Sequence, residues 1–241
     1  QDPDYCRLLT RYLKALEQRN ALLRQVRERQ ASPLDLSYWD EQLAGLGGGI
    51  LAKRISFIQA LSHYLDSLFR DLTDNLEALR LVYVSPAEPA VVEAEQNARA
   101  PSQGVNEHSY ADVLRMLLEQ RRREEIARAM TVTGPHRDDL RFLINGYDAA
   151  EYGSRGQQRT IALALKLAEA LLMRARMGES PVLLLDDIFS ELDQRRSRLL
   201  LSLLESTEQV LITTTDLSVC DPLLVRKACV WRVANATVNP L

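Results

Sequence analysis

Four aliphatic residues in a row, Val182-Leu183-Leu184-Leu185, run straight into a pair of carboxylates, Asp186-Asp187, and a second such run, Val210-Leu211-Ile212, ends in Thr213-Thr214-Thr215-Asp216. A strand without polar positions has to be covered on both faces, the condition of a parallel sheet flanked by helices and not of a half-solvated antiparallel one. Between the two runs, Arg195 to Leu204 has helical character. Upstream, Thr160 to about Met177 carries Ile161, Leu163, Leu165, Leu167, Leu171 and Leu172 on most of its faces, as expected of a helix packed on a sheet. Alternating aliphatic strands and helices predict an α/β lobe with a parallel sheet. Ligands in such sheets lie beyond the carboxyl ends of the strands, where Asp186, Asp187 and the segment from Thr213 to Asp216 emerge.

The first half has a different character. Leu8, Leu9, Tyr12, Leu16, Leu22, Leu23 and Val26 recur at helical spacing among charged residues and predict one long amphipathic helix from Tyr5 to about Arg29. Ser32 before Pro33, then Asp35 or Ser37 as caps, open a second helical stretch, which Gly45-Leu46-Gly47-Gly48-Gly49 is expected to break. A third helix is predicted from Ile50 to about Ala78, a short strand from Leu79 to Val84, a loose connection from Ser85 to Gly104, and helix again from Tyr110 to Ala129. Thr131-Val132-Thr133 has strand composition. Leu140 to about Tyr152, with Asn145-Gly146 inside it, reads as a two-stranded ribbon, because Asn-Gly suits the tight hairpin turn. The expected organisation is a helical arm over residues 1–130, with a short strand near 79–84, followed by an α/β lobe over residues 131–241.

Bulk properties exclude several classes. With 30 Lys+Arg against 33 Asp+Glu the net charge is −3, so no global positive field draws the chain to nucleic acid and any such binding needs a local patch. Cys6, Cys220 and Cys229 form no Cys-x-x-Cys pair and read as small apolar fillers in a reducing compartment. No apolar run approaches the ~20 residues of a membrane span, which predicts a cytoplasmic protein with no membrane partner. Arg121-Arg122-Arg123, with Arg115 and Arg128, is interleaved by Glu119, Glu124 and Glu125 and reads as a solvated helix face. His136, beside Arg137, Asp138 and Asp139, reads as a structural hydrogen-bonding residue.

The chemistry concentrates at two places. At Ser154-Arg155-Gly156-Gln157-Gln158-Arg159 a hydroxyl and a bare glycine stand where the following helix begins; either Ser154 only caps that helix and Gly156 eases the turn, or unpaired N–H groups and the positive helix end face outward and accept a phosphate without a lysine. At Asp186-Asp187 two adjacent carboxylates repel unless a cation neutralises them. Asp186 is therefore the candidate Mg²⁺ ligand and Asp187 the candidate acceptor of a proton from an attacking water. Ser190-Glu191-Leu192-Asp193 adds a second polar and acidic cluster just downstream.

Ser154 to Arg159, the strand Val182 to Asp187, the loop Ser190 to Asp193 and the strand ending in Thr214-Thr215-Asp216 resemble the signature, Walker B, D-loop and switch of ABC-type ATPases. More narrowly, Gly134-Pro135-His136-Arg137-Asp138-Asp139-Leu140 and Lys14-Ala15-Leu16-Glu17-Gln18-Arg19-Asn20-Ala21-Leu22-Leu23 are similar to runs in the RecF recombination mediators. The resemblance covers essentially the whole chain. It implies part of an α/β P-loop NTPase lobe of ABC type with a parallel sheet, plus an all-helical arm domain. It also implies ATP and Mg²⁺ as cofactors, an ATP-dependent homodimer, binding to DNA at single-strand/double-strand junctions, and work with RecO and RecR in recombinational repair of gaps and stalled forks.

On that resemblance Ser154, Gly156, Gln157, Ser190 and Asp193 act in trans on the nucleotide of a second copy. Asp186 binds the metal in cis, Asp187 is catalytic, and Thr215 is the switch residue. Three departures matter. Asp187 stands where the wider ABC pattern has Glu, and the shorter side chain suits slow hydrolysis. Thr215 replaces a switch histidine and cannot act as an imidazole base. No Gly-x-x-x-x-Gly-Lys-Ser/Thr cradle occurs in the 241 residues, and Gly47-Gly48-Gly49 with Lys53 and Arg54 is no substitute. The chain by itself is thus expected neither to bind ATP tightly nor to hydrolyse it. The alternative is a non-enzymatic DNA- and partner-binding module with vestigial ATPase motifs.

Overall fold

The computed structural model describes residues 2–85, 107–190, 192, 194–204 and 207–241. The chain packs as two units, Gln1–Ser62 with Arg80–Tyr152, and His63–Leu79 with Gly153–Leu241. The boundary expected after residue 130 falls inside the first unit, because the Asn-Gly ribbon joins the sheet of that unit. The expected loose connection lies, beyond Ser85, outside the described residues.

In the first unit α1 (Pro3–Arg27) starts at Asp2, whose carboxylate caps the amides of Asp4 and Tyr5. A 3-10 turn, Pro33–Asp35, with Ser32 and Asp35 in a reciprocal capping box, leads into α2 (Leu36–Leu72), which passes into the second unit. The glycine break expected at residues 45–49 does not occur, and a single 37-residue helix replaces two. These glycines let neighbours approach. A Cβ on Gly47 would lie 2.7 Å from Leu114 Cδ1, and one on Gly49 would lie 3.3 Å from Leu8 Cδ1. Tertiary packing therefore overrides the local cost of glycine in a helix. Strand β1 (Leu79–Val84), as expected, and α3 (Glu107–Arg128) follow.

Tyr12, Leu43, Ile50, Leu51, Tyr110, Leu114 and Leu118 form the hydrophobic core of this unit. Beside it lies a buried charge network. Arg19 is fully buried and donates from Nε to Asp40 Oδ1 at 2.7 Å and from Nη1 to Thr131 Oγ1 at 2.8 Å. Its Nη2 lies 2.7 Å from Glu125 Oε2, an ion-pair approach without hydrogen-bond alignment. Arg122 adds a bond to the other oxygen of Asp40 at 2.6 Å, and Asn20 Oδ1 accepts from both Thr131 N and Oγ1. Thr131-Val132-Thr133 forms no strand, because Thr131 and the amide of Val132 are engaged by the network. Arg122 thus serves inside the fold and departs from the solvated face expected of it.

Strands β2 (Asp139–Ile144) and β3 (Tyr147–Asp148) form the predicted hairpin and extend β1 into a three-stranded sheet. Asn145 and Gly146 both have positive φ, 50° and 90°, as the tight turn requires. The segment before β2 is pinned by side chains. Tyr12 OH lies 2.7 Å from His136 Nδ1, and His136 Nε2 lies 3.3 Å from Thr131 O, so Tyr12 donates to one ring nitrogen while the other donates to the carbonyl. Tyr83 and Ser85 donate to the buried carboxylate of Asp138 at 2.5 and 2.6 Å. His136 is therefore structural, as expected.

The second unit holds α4 (Arg155–Met177), β4 (Leu183–Asp186), α5 (Gln194–Leu204), β5 (Val210–Thr213), α6 (Pro222–Lys227) and a terminal hairpin, β6 (Trp231–Ala234) with β7 (Thr237–Pro240). β4 and β5 are parallel, with Leu184 opposite Leu211 and Asp186 opposite Thr213. Leu184 is 74% exposed and Leu211 51% exposed, so this parallel pair leaves one aliphatic face uncovered in the chain. Trp231, Val233 and Val238 are also exposed on the hairpin, where Val233 faces Val238. Cys220 is buried as a filler, whereas Cys6 and Cys229 are exposed. No helix among the described residues is long and apolar enough to cross a membrane.

Two predictions follow from the first unit. Gly47→Ala gains about 1 kcal/mol of helix propensity but overpacks against Leu114 by about 1–3 kcal/mol, so it destabilises, whereas exposed Gly45→Ala, with open space around the new methyl, stabilises by about 0.5–1 kcal/mol. Denaturant midpoints of the two variants check the sign of each. Burial, followed by the charges of Arg137 and Arg19, lowers the pKa of His136, while the Thr131 carbonyl opposes the shift. Its contribution to stability is present above the ordinary histidine value of about 6.5 and is lost as pH falls through the lower folded value. Burial raises Glu125 and Asp138, which act in the opposite sense. The difference in melting temperature between the unsubstituted protein and His136→Gln, which share those carboxylates, should therefore shrink on acidification.

Candidate functional site

The acidic end of β4 is built by its pairing with β5. The Thr213 hydroxyl donates to Asp186 Oδ1, and the amide of Asp187 lies 3.1 Å from Thr213 O and 3.2 Å from Thr213 Oγ1. That hook turns the chain sharply. Asp187 has φ 46°, in the left-handed region that an L-residue other than glycine enters at a cost of about 1 kcal/mol or more. Ser190 follows on a 3-10 turn, Ile188–Ser190, and shares its hydroxyl between Asp187 O at 2.8 Å and Oδ2 at 2.9 Å. The remaining oxygen, Oδ1, is buried without a hydrogen-bond partner among the described residues. A strained backbone carrying an unsatisfied carboxylate oxygen is costly to hold, and such features concentrate where a ligand supplies the missing partner.

Thr214 and Asp216 close on each other beyond β5. Asp216 N donates to Thr214 Oγ1, Thr214 Oγ1 donates to Asp216 O, and Asp216 takes both the amide and the hydroxyl of Ser218, which holds its carboxyl below the ordinary range. Thr215 is exposed at the same turn. Burial raises the Cys220 thiol; the Thr214 hydroxyl opposes this, and the carboxylates of Asp216 and Asp187 reinforce it, so both strand ends stand near one thiol.

Among the described residues no cluster of three or more His, Cys, Asp or Glu side chains is placed to hold a metal ion. Among the described residues the strand end offers the Asp186 and Asp187 carboxylates. That donor set fits Mg²⁺, which takes one or two carboxylates and completes its octahedron with water and substrate phosphate, and fits a structural Zn²⁺ poorly.

The second expected feature is the tip of α4. Ser154 is its N-cap and Gln157 its third residue, joined as a capping box. Gln157 N donates to Ser154 Oγ at 3.2 Å, and Ser154 N donates to Gln157 Oε1 at 2.8 Å. Gly156 is exposed, and a Cβ there would meet nothing nearer than Ser154 Oγ at 3.9 Å. The tip is open. The hydroxyl proton of Ser154 has no acceptor among the described residues and remains available to an incoming oxygen.

No hydrogen bond or ion pair among the described residues joins Ser154, Gly156 or Gln157 to Asp186 or Asp187. Asp193 lies outside the described residues. Three contributors escaped the sequence reading: Thr213 as the hook on Asp186, Glu77 as the partner of Gln157, and Arg196, whose Nε reaches Leu72 O at 3.3 Å. Only Thr213 was signalled, by its place at the end of an aliphatic run.

Comparison with known proteins adds the lineage. The chain is 44% identical over 222 residues to a DNA replication and repair protein RecF from Chloroflexus aggregans, covering 90% of this chain and 54% of the relative. It is 42% identical over 232 residues to the RecF protein of Heliobacterium modesticaldum, covering 96% of this chain and 59% of the relative. A solved structure of the recombination mediator protein RecF with ATP in the RecFOR pathway superimposes with a TM-score of 0.79 at 30% identity, over 100% of this chain and 59% of that one. No family model matches. The chain thus spans little more than half the length of these relatives. Agreement in sequence along nearly the whole chain, and in fold along all of it, shows that the chain belongs to the RecF family, matching the carboxyl-terminal part of its members.

Proposed function

We propose that this chain is the signature-bearing part of an ATP-dependent DNA clamp in recombinational repair, an ABC-type P-loop NTPase that closes as a homodimer and reopens on slow hydrolysis. The strained Asp187, hooked to β5 and left with a buried, unpartnered Oδ1, carries this reading. Family membership and the likeness to RecF solved with ATP support it. In the clamp, Asp186 would hold Mg²⁺ in cis, and Asp187 would orient a water and take its proton. The bound ion would neutralise charge on the phosphate oxygens.

The open tip at Ser154, Gly156 and Gln157, with Ser190 and Asp193, serves the nucleotide of the second copy, and Thr215 occupies the switch. Ser190 already touches Asp187 of its own chain, so on this reading it relays contact across the interface to the water-positioning residue. Single-strand/double-strand junction DNA, RecO and RecR are the proposed partners, in the cytoplasm. The RecFOR pathway named for the solved neighbour supports the latter two. The division of labour into a helical arm over residues 1–130 and a catalytic lobe over residues 131–241 remains the functional reading, although packing places the ribbon with the arm.

On this reading the phosphate cradle is supplied from outside these 241 residues, which carry no Gly-x-x-x-x-Gly-Lys-Ser/Thr run. The aliphatic face left open by Leu184 and Leu211 supports a further lobe that covers the sheet, since parallel strands are stable when covered on both sides.

Two outcomes test the proposal. Titrated with ATP and Mg²⁺, this chain alone should show weak or no binding and no turnover; turnover would overturn the need for an added cradle. With a Walker A lobe from a longer relative supplied, Asp187→Asn should slow hydrolysis by about a hundredfold or more and leave the clamp persistently on DNA. The same substitution should leave stability within about 0.5 kcal/mol, since Asn has the shape of Asp and shares its tolerance of the left-handed backbone. DNA residence that the substitution does not alter, with no turnover in either protein, would favour a non-enzymatic module instead.

A further inference from the structure

The orientation of the Gln157 side chain is set from outside its own helix. Its Nε2 donates to Glu77 Oε1 at 2.6 Å while its Oε1 accepts from Ser154 N at 2.8 Å. A carboxylate only accepts and a backbone amide only donates, so the flipped side chain would face donor with donor and acceptor with acceptor. Glu77 therefore adds a second constraint, beside the Ser154 amide, on which end of the side chain meets Ser154. That choice keeps the capping box closed, in which Ser154 Oγ accepts from Gln157 N and has its own proton left for an outside acceptor.

Glu77 is itself firmly held. It follows the end of α2 on a turn whose Asp74 and Asn75 have φ of 62° and 59°. Thr73 Oγ1 bonds back to Phe69 O at 2.8 Å, Leu79 N donates to Asp66 Oδ1 at 3.2 Å, and Arg196 from α5 reaches the last carbonyl of α2, that of Leu72. The turn is thus tied to α2 on one side and to α5 on the other, and it presents one carboxylate oxygen to the signature glutamine.

We propose that Glu77 is a positioning residue for the signature tip, fixing Gln157 and through it the Ser154 hydroxyl in the geometry that receives a phosphate oxygen. This rests on the reading of that tip given under Proposed function. The role is preorganisation. The geometry requires an acceptor at residue 77 and does not require its charge, so Glu77→Gln should work and Glu77→Ala should not.

Two measurements separate the possible failures. In this chain, Glu77→Ala should speed hydrogen exchange of the Ser154 and Gln157 amides by about threefold or more, with Glu77→Gln close to the unsubstituted protein and the interior of α4 unchanged in both. Equal exchange at Ser154 and Gln157 in all three proteins overturns the proposal. With the Walker A lobe of a longer relative supplied, ATP-dependent self-association should weaken by about threefold or more in Glu77→Ala and recover in Glu77→Gln. Association as tight in Glu77→Ala as in the unsubstituted protein overturns the role toward nucleotide. Absence of ATP-dependent association in the unsubstituted protein instead sinks the clamp reading, and with it the role of Glu77 toward nucleotide, while the exchange result still decides whether Glu77 positions the tip.

Discussion

The parallel pairing of β4 with β5 is the constraint on which the rest of the site depends. Its register sets Thr213 opposite Asp186, so one threonine ties down the first carboxylate through its hydroxyl and the amide of the second through its carbonyl. With that amide captured, the chain cannot continue as a strand, and Asp187 turns into a left-handed conformation that leaves Oδ1 buried and unpaired. A slip of the register by one residue would point the wrong faces to the core and separate the hydroxyl from the carboxylate. The strain and the unsatisfied oxygen are therefore consequences of the sheet, maintained because the aliphatic strands overdetermine the position of their ends.

The arm illustrates a different balance. A buried arginine with two carboxylates is not in itself a strong source of stability, since desolvation offsets much of the attraction, yet removing one member would leave charge stranded in the core. Arg19 reaches Asp40, Glu125 and Thr131, and so ties α1, α2, α3 and the segment leading to the hairpin at one point. Directional groups of this kind specify which surfaces meet. The glycines of α2 do the complementary task, allowing Leu114 and Leu8 to approach the helix closely. Charge fixes the register of the elements, and small residues set their spacing.

Features governed by local chemistry were legible in the sequence. The periodicity of α1, the aliphatic strands ending in Asp186 and Thr213, the Asn145-Gly146 turn and the capping serine at 154 each follow from side-chain period or backbone preference, and each stands where expected. The misreadings came where partners distant in sequence decide. Gly45 to Gly49 reads as a break only while Leu114 and Leu8 are out of sight. Thr131 to Thr133 has strand composition, but Asn20, Arg19 and Glu125 claim the amide and hydroxyl of Thr131 and the amide of Val132. Glu77 carried no signal, because its meaning lies wholly in the side chain of Gln157 across a long stretch of chain. For the candidate site, the residue types were readable and their strain was not, since the latter arises from the pairing of two strands.

The central claim is that the Ser154 tip of one copy completes a site whose acidic strand end belongs to another. Mixed-subunit complementation tests it most directly, using protein supplied with a Walker A lobe, in which one population carries Ser154→Arg and the other Asp187→Asn. Each population alone should be inactive, and mixing them should restore ATP turnover, because one of the two composite sites in a mixed dimer keeps both an intact tip and an intact carboxylate. Turnover by Ser154→Arg alone, or none after mixing with dimers demonstrably formed, would contradict the account.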